Sequence, residues 1–441
     1  MRDITRRDLL AAGIAAPFLA GLPLGARAQK QGGLPLRIGT VLPSKTGESA
    51  IRASINDFMG EAARMGALLA DSNLGDAASQ QGLDLNILLA NSPSEEAAVR
   101  AAQRLVELED VCALIGGIGE GQAEALSAIA EQARIPFFNI GTTDDVLRGA
   151  SCRRFTFHME ASAAMYLDAM AQLSGSLDYR RWFVIYEDTE EGNALMQRAK
   201  VALERAGNGL EIAGAAAVPR EKSVYNDELE AAGLADADVF VLMLDAADQI
   251  AFLAQQETFN SHLPSLAFPS TVTQTRDYIA SVRYLAPKTN PVHRIGLWET
   301  TLTSNGADQF NDKYRSQWGE PTDPTAWAAY HAVKIVIDSA HAIGKTDGEA
   351  LVSYLESPDA KFDVLKGEGT SFRPWDHQLR QPLYAIRVNE EIKWSRTSLE
   401  SRIGIAAFDS ELPGPAQEGG EAAADRLDQL GDGASQSTCR F

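Results

Sequence analysis

Short apolar segments alternate with longer amphipathic segments along the first third of the chain. The apolar segments predict β-strands at 36–42, 83–90, 111–115 and 136–139, because polar or glycine-containing turns bound each run. Apolar residues recur at helical spacing between them and predict helices at 51–71, 95–109 and 121–132. Repeated βα units of this kind are typical of a parallel sheet with helices on both faces.

The same alternation starts again in the middle of the chain. Strands are predicted at 181–186, 210–218, 239–244 and 265–268, with helices at 161–174, 191–206 and 246–259. Two successive βα sets of similar size indicate two similar lobes. The sequence therefore predicts an α/β protein with two Rossmann-like lobes, each a doubly wound parallel sheet.

The remainder of the chain departs from this alternation. After a strand at 294–297, three helices follow one another at 306–318, 325–342 and 348–357. Two extended segments, 383–388 and 392–396, are joined by Asn389 and Glu390 and predict a closing hairpin. Residues 409–441 hold seven acids against two arginines among many small residues, which predicts a mobile acidic tail.

The first 28 residues predict an export signal. Arg6 and Arg7 form a twin-arginine pair, an apolar stretch follows, and Ala26 and Ala28 supply the small-x-small pattern that signal peptidase reads. A transmembrane anchor is the alternative reading, but glycines and prolines interrupt the stretch and it is short for a bilayer. We therefore expect twin-arginine export to a bacterial periplasm, with 1–28 removed.

Composition and charge narrow the class of protein. A chain of 441 residues is long enough for two domains, and 45% apolar with 23% charged residues is ordinary for a soluble globular protein. The formal net charge of −20 argues against a nucleic-acid partner, because phosphate backbones are bound through an excess of lysine and arginine.

The three cysteines have different surroundings. Cys112 lies in an apolar run, where a buried and inert thiol is expected. Cys152 and Cys439 lie in polar surroundings, and an oxidising compartment favours a disulfide between them that would anchor the tail. A catalytic thiol would need a positioned histidine, for which His158 alone is weak support.

Motifs for catalysis or cofactors are weak. The glycine-rich segment 116–121 fails the dinucleotide fingerprint, because Gln122 stands at the last glycine position and the segment follows the third strand rather than the first. Its turn still exposes N–H groups at a helix start, so ligand contact and a plain tight turn both remain open. Glu190 and Glu191 could act as an acid/base pair, but adjacent acids at a helix start usually cap it. The histidines lack metal-ligand spacing, so we expect neither a metal nor a cofactor.

Polar turns stand where the ligands of doubly wound sheets bind, beyond the carboxyl ends of the strands. In the first lobe these turns are 43–47, 119–122 and 141–144. In the second lobe they are 188–192, Asp245 and 269–271. Two such sets facing each other would form a cleft that binds a ligand without catalysing a reaction.

Several stretches identify a family. "RIGTVLPSKTG", "ALIGGIGEGQAEALSAIAEQARIPFFNIGTTDD", "TAWAAYHAVK" and "FRPWDHQLRQPLYAIRV" resemble the leucine/isoleucine/valine-binding branch of the type I periplasmic binding proteins, which feed ABC transporters. The resemblance runs from about Leu36 to Arg402. It implies lobe one at 35–157 and 299–372, lobe two at 158–298 and 382–405, and a hinge of three strands between them.

A narrower resemblance concerns a subgroup. "DVLRGASCRR", "DAMAQL", "RRW", "SFRPWDHQLRQP", "LDQLG" and the terminal "CRF" are similar to substrate-binding proteins associated with PQQ-dependent alcohol oxidation. Members of that subgroup carry cysteines matching Cys152 and Cys439, which implies the same disulfide. The acidic stretch of about 411–425 reads as an insertion.

The resemblance also implies a set of ligand-binding residues. Turns matching those that hold a ligand carboxylate in the amino-acid binders contain Thr142 and Thr143, whose hydroxyls and free amides suit that task. Glu191 stands at the family's second-lobe aromatic position, and Ser270 stands where an acid usually pairs with the ligand's ammonium group. Loss of that acid argues against an ordinary α-amino acid, although Glu191 or Asp245 could substitute for it. The expected ligand-binding residues are Ser44, Glu120, Gly121, Gln122, Gly141, Thr142, Thr143, Glu191, Asp245 and Ser270.

We therefore expect a periplasmic solute-binding protein without catalysis. It would deliver an alcohol-derived acid, an aromatic acid or an amino acid to an ABC transporter permease. The alternatives are a ligand sensor, a periplasmic partner of a PQQ-dependent dehydrogenase system, and an enzyme that uses acids such as Glu190 with Glu191 or Asp144 with Asp145.

Overall fold

Two β-sheets with helices beside them organise the chain. The computed structural model describes residues 33–44, 55–259, 261–287, 292–389, 392, 395, 398–414 and 422–441. The predicted signal segment 1–28 and part of the turn 43–47 lie outside these residues.

The first sheet has five parallel strands in the order β2-β1-β3-β4-β5. They are β1 (Leu34–Leu42), β2 (Leu83–Asn91), β3 (Ala113–Gly116), β4 (Phe137–Asn139) and β5 (Thr156–His158). Helices α1 (Ile55–Gln80), α2 (Glu95–Glu107) and α3 (Gln122–Ala133) connect the first four strands. A short 3₁₀ turn over Asp145–Arg148 lies between β4 and β5.

The second sheet has seven strands in the order β12-β11-β10-β9-β8-β6-β7. They are β6 (Arg181–Glu187), β7 (Glu211–Val218), β8 (Val239–Met243), β9 (Ser265–Ala267), β10 (Val292–Gly296), β11 (Leu383–Val388) and β12 (Ala406–Leu412). β11 is antiparallel to both of its neighbours, whereas the other pairs are parallel.

The helices of the later chain are α4 (Ala163–Ser176), α5 (Glu190–Ala206), α6 (Asn226–Leu234), α7 (Ala246–Phe259), α8 (Arg276–Leu285), α9 (Ala307–Trp318), α10 (Pro324–Ile343), α11 (Gly348–Leu355), α12 (Leu399–Gly404) and α13 (Ala423–Leu427). α10 is buried over most of its length, in agreement with its apolar sequence. Pro324 in its first turn and Gly344 at its end supply the start and stop that its sequence predicts.

The apolar core is continuous between the two sheets. One cluster of buried side chains includes Ile38 on β1, Trp182 on β6 and Trp327 on α10. The chain passes between the two halves at 159–162, at 297–306 and at 356–382, because β5, β10 and α11 each precede a segment that packs with the other half. His158, which ends β5 directly before the first crossing, forms an isolated parallel bridge with Gln378 of the third crossing.

The predicted two-lobed α/β architecture with parallel sheets is confirmed. The sequence did not predict α6, α8, α12, α13, β5 or β12, and the predicted end of α1 at Asp71 lies nine residues before its observed end. The lobe boundaries 35–157 with 299–372 and 158–298 with 382–405 stay a prediction.

The predicted hairpin of 383–388 with 392–396 is wrong. β11 pairs instead with β12, and the amide of Asn389 continues this ladder by donating to the carbonyl of Ile405 at 2.7 Å. Ser395 donates its amide to the hydroxyl of Ser401 at 2.9 Å, which links it to α12, whereas residues 393, 394 and 396 of the predicted second strand lie outside the described residues. The place beside β11 is therefore filled by a later segment.

The expectation of a mobile tail at 409–441 is also wrong for its described residues. Asp409 to Leu412 lie in β12, and Asp428 binds Arg373 and Arg380. Cys439 forms a disulfide with Cys152, with a Cα–Cα distance of 5.6 Å, as predicted. The acids that suggested disorder form ion pairs with arginines distant in the sequence.

Candidate functional site

The strand order of each sheet has a point at which it reverses. β1 lies between β2 and β3 in the first sheet, and β6 lies between β7 and β8 in the second. The strand order reverses at β1 and at β6, and ligands of open α/β sheets bind outside the carboxyl ends of the strands at such a point. The turns predicted to bind ligand all follow carboxyl ends of strands, which are Leu42, Gly116 and Asn139 in the first sheet and Glu187, Met243 and Ala267 in the second.

In the first sheet, Ser44 and Gln122 are tied to the loop after β2. The amide of Ser44 donates to Oδ1 of Asn91 at 2.9 Å. The Gln122 side chain is buried; its Nε2 donates to the carbonyl of Ser92 at 3.0 Å, and its Oε1 accepts from the Ser92 hydroxyl at 3.1 Å. The side-chain amide of Gln122 therefore holds the start of α3 against the loop after β2. Glu120 and Gly121, directly before it, are exposed.

Asn139 at the end of β4 shapes the next turn. Its Oδ1 accepts hydrogen bonds from the amides of Gly141 and Thr142 at 3.1 and 3.0 Å, and its Nδ2 donates to the carbonyl of Thr142 at 2.9 Å. The amide of Thr142, which was expected to be free, is therefore engaged, and so is the amide of Gly141. Asn139 is fully buried, and a lone asparagine that ends an apolar run was the signal for its role.

Two further features fix the position of this turn. A Cβ at Gly141 would collide with the carbonyl oxygen of Gly117, so only glycine allows the turns after β3 and β4 to approach so closely. The carbonyl of Thr143 accepts from the amide of Ala163 at 2.8 Å, which links the turn to the start of α4. Among the described residues, no hydrogen-bond partner occupies the Thr143 hydroxyl, which is half-buried.

The neighbouring acids have structural partners. Asp144 caps the short 3₁₀ turn by accepting from the amide of Val146 at 2.8 Å. The Asp145 carboxylate binds Nε of Arg198 on α5 at 3.1 Å. This arrangement gives no support to the alternative of an acid/base pair at Asp144 and Asp145.

In the second sheet, Glu187 organises the strand ends, and the sequence reading missed it. Its Oε1 accepts from the amide of Asp245 at 2.7 Å, and its Oε2 binds Nε of Arg220 at 2.6 Å. A Cβ at Gly192 would collide with the carbonyl oxygen of Glu187, so the start of α5 packs directly against the end of β6. The ends of β6, β7 and β8 therefore meet at one buried carboxylate.

Other charged side chains surround the Glu187 carboxylate. Glu191 is exposed in the first turn of α5, where hydrogen bonds from its own backbone N–H and from Thr189 lower the pKa of its carboxyl, with a smaller effect from Arg220. Asp245 is exposed and caps α7 by accepting from the amide of Asp248 at 2.8 Å. The proximity of Glu187, Glu191 and Asp245 raises the pKa of Arg220. Glu190 begins α5 and is exposed.

Ser270 offers a hydroxyl at the position where the sequence resemblance implies an acid. Its amide donates to the Thr273 hydroxyl at 2.8 Å, and its own hydroxyl accepts from the Thr273 amide at 3.3 Å. These bonds form a local turn before α8. Within the described ranges, no hydrogen bond or ion pair joins Ser44, Glu120–Gln122 or Gly141–Thr143 to Glu191, Asp245 or Ser270.

Other features of the described chain lie apart from the predicted ligand-binding residues. Two cavities of about 480 and 290 Å³ lie beside α4 and α5, and none of the ten predicted ligand residues lines either of them. No group of three or more His, Cys, Asp or Glu side chains in the described part of the chain could hold a metal ion. None of the described helices is both long and apolar enough to cross a membrane.

Comparisons with known proteins give a consistent result. Residues 89–393 match the family model described as periplasmic binding protein. A "Leu/Ile/Val-binding protein homolog 7" from Brucella abortus is 22% identical over 318 residues, covering 68% of this chain and 78% of the relative.

Two solved structures show the same fold. A branched-chain amino acid ABC transporter periplasmic ligand-binding protein from Burkholderia xenovorans superposes with a TM-score of 0.75 at 16% identity, covering 92% of this chain and 99% of that one. A solute-binding protein from R. palustris in complex with benzoate superposes with a TM-score of 0.66 at 14% identity, covering 92% of this chain and 100% of that one.

Proposed function

The chain belongs to the periplasmic binding protein family, and from this premise we propose that it is the solute-binding component of an ABC transporter, taking a small organic acid between its two halves. One observation carries this proposal. The strand order reverses at β1 in the first sheet and at β6 in the second, and polar turns follow the strand ends in both sheets. Binding at such a point requires neither a nucleophile nor a metal.

The first-sheet turns suit the acid end of the ligand. The Thr143 hydroxyl is a side-chain donor of the turn after β4 without a hydrogen-bond partner among the described residues, and the exposed start of α3 at Gly121 lies at the positive end of a helix. We propose that these two groups bind a carboxylate. Closure would follow when the same ligand also contacts the second half, because only contacts made by both halves favour the closed form.

The charged residues at the strand ends of the second sheet distinguish between the ligand classes. Arg220 is more than half exposed and bonded to Glu187, whereas Glu191 and Asp245 add exposed carboxylates beside it. An amino acid would place its ammonium group against Glu191 or Asp245, since Ser270 carries no charge. An aromatic or alcohol-derived acid would not need these carboxylates. The names of the relatives include both amino acids and benzoate, so both classes belong in the test.

A thermal-shift screen tests the proposal, using amino acids, benzoate and related aromatic acids, alcohols and aldehydes. A ligand at a hundredfold excess over its dissociation constant stabilises the folded state by about 2.7 kcal/mol. Each hit is then titrated by calorimetry against T143V, which replaces the hydroxyl by a methyl group, and against T258V on the far helix α7 as a matched control. Weakened binding in T143V but not in T258V is expected.

The variants E191Q and D245N separate the ligand classes. They should weaken the binding of amino acids and leave benzoate-type acids unaffected. Absence of a thermal shift with every compound, or turnover of one of them that E190Q abolishes, would overturn the transport proposal. Export by the twin-arginine route and a link to PQQ-dependent alcohol oxidation stay predictions; the Cys152–Cys439 disulfide fits an oxidising compartment.

A further inference from the structure

We propose that residues 428–441 act as a strap that joins the two halves of the fold and limits how far one rotates against the other. The strap concerns motion in the ligand-free protein, so it does not depend on which solute binds. Its contacts fall into three groups, one on each half and one on the third crossing.

The end of the strap is fixed to the first half. Cys439 is bonded to Cys152, which lies between β4 and β5. The ring of Phe441 stacks on His377 with centroids 4.1 Å apart, and His377 stacks in turn on Phe157 of β5 at 4.4 Å. A covalent bond and a stack of three rings therefore hold this end beside the first sheet.

The start of the strap is fixed to the second half. Arg198 on α5 donates from both terminal nitrogens to the carboxylate of Asp432, at 2.6 and 2.7 Å. Arg205, two turns further along α5, donates to the carbonyl of Gly431 at 2.7 Å, and the amide of Gly431 donates to Asp168 on α4 at 2.7 Å. Bidentate guanidinium–carboxylate pairs resist shear, because both bonds must break together.

Between these ends the strap lies on the third crossing. Asp428 accepts from Nε of Arg373 and from Nε of Arg380, each at 2.9 Å. Trp375 donates from its indole nitrogen to the carbonyl of Asp432 at 3.0 Å. The strap thus contacts both halves and one of the segments that join them.

Arg198 also connects the halves directly. Its Nε binds Asp145 of the first half at 3.1 Å while its other nitrogens bind the strap. The cavity of about 290 Å³ beside it is lined by residues of both halves and of the strap, including Arg148, Arg198 and Thr438.

Rotation of the second half away from the first must therefore break the bonds of Arg198 and Arg205, or must carry the strap along. The Cys152–Cys439 bond keeps the strap from moving with the second half, because it fixes the end of the strap to the first half. The strap therefore sets the allowed range of rotation. Loss of either anchor should widen that range.

Distances between the halves test the strap. Gadolinium spin labels are attached through an unnatural amino acid at exposed Glu107 on α2 and exposed Glu230 on α6, and double electron–electron resonance records their separation in the full chain without ligand. We expect one narrow distribution for the oxidised protein and a distribution about twice as wide in R198Q and in C152S/C439S. K200Q, which removes a cation from the same helix outside the strap contacts, serves as the matched control.

A distribution of unchanged width in both variants would overturn the strap. So would faster hydrogen exchange at 428–441 without any change between the labels, because the segment would then be a local anchor only. If a variant unfolds, reduction of the labelled wild-type protein with a phosphine gives the same comparison without a substitution. Widening on reduction supports the strap, and an unchanged distribution overturns it.

Discussion

The ammonium group of Lys366 donates a hydrogen bond to Oε1 of Gln381 at 2.8 Å, inside the region where the chain passes between the halves. The same nitrogen donates to the carbonyls of Leu297 at 2.5 Å and Pro382 at 3.1 Å. Gln381 donates onward to the carbonyl of Met159 at 2.8 Å. One buried lysine therefore contacts the second and third crossings and reaches the first through a single side chain.

Replacement of this lysine should be costly. K366M keeps an unbranched side chain as far as Cε but removes Nζ and leaves three buried acceptors without a donor, each of which costs about 1–3 kcal/mol when unpaired. Because the region can relax in part, we expect the free energy of unfolding in urea to fall by about 2–4 kcal/mol. K361M changes an exposed lysine nearby and should stay within about 0.5 kcal/mol of wild type. Equal stability of the two variants would contradict a stabilising role for the hydrogen bonds of Lys366.

Glu160 should make stability depend on pH. Burial raises the pKa of its carboxyl to about 7, although hydrogen bonds from Tyr166 and the Ala161 amide and the charges of Arg148 and Lys366 oppose the shift. When a carboxyl has a higher pKa in the folded chain than in the unfolded chain, the free energy of unfolding falls as the pH rises between the two pKa values.

We therefore expect E160Q to gain stability relative to wild type as the pH rises from about 5 to about 7, with a slope of at most about 1.4 kcal/mol per pH unit. Urea unfolding followed by circular dichroism at several pH values measures this difference. E230Q on the surface of α6 should show none of the trend. A difference between E160Q and wild type that is the same at every pH would refute the assignment.

The disulfide should contribute strongly to stability. It joins residues 287 positions apart, and cross-links over long loops restrict the unfolded chain most in the chain-entropy model. We expect C152S/C439S to lose about 2–4 kcal/mol in the free energy of unfolding. A reductant should lower the wild-type midpoint to that of the variant and leave the variant unchanged. Peptide mapping without reduction should recover Cys152 linked to Cys439.

Two glycine substitutions should have opposite effects. G141A forces a Cβ against the carbonyl oxygen of Gly117, so it should lower the free energy of unfolding by about 2 kcal/mol or more and abolish any ligand-induced thermal shift. G175A lies near the end of α4 with no atom within 4 Å of the added carbon, and it should stabilise by about 0.5–1 kcal/mol. Similar melting temperatures for both variants would show that the turn after β4 is not held as described.

The sequence predicted the regular part of the fold well, for a local reason. Strands such as β1 and β8 are apolar runs between turns, and α2 has Ser94 as its cap with a buried face of Ala98, Ala102 and Leu105. These signals need only neighbouring residues. β5 was missed because three residues are too few to show a period, and β12 was missed because its acids resemble those of the tail.

The site was predictable in position but not in detail. Strand ends locate the turns, whereas the use of each backbone amide depends on side chains such as Asn139 that look ordinary in the sequence. Glu187 could not be singled out, because Arg220 and Asp245 meet it only after three strands align. The order of the tail depends on Arg198 and Arg373, which lie far from Asp428 and Asp432 in the sequence.

Cys112 has a consequence for oxidative folding. It is the free cysteine of the described chain, it is buried, and burial raises the pKa of its thiol to about 12, so it does not ionise near neutral pH. Three cysteines could pair in three ways, but a thiol already enclosed by the first sheet cannot attack or be attacked. Once the first sheet has formed, we therefore expect oxidation to give the Cys152–Cys439 bond alone, without a competing pairing that an isomerase would have to correct.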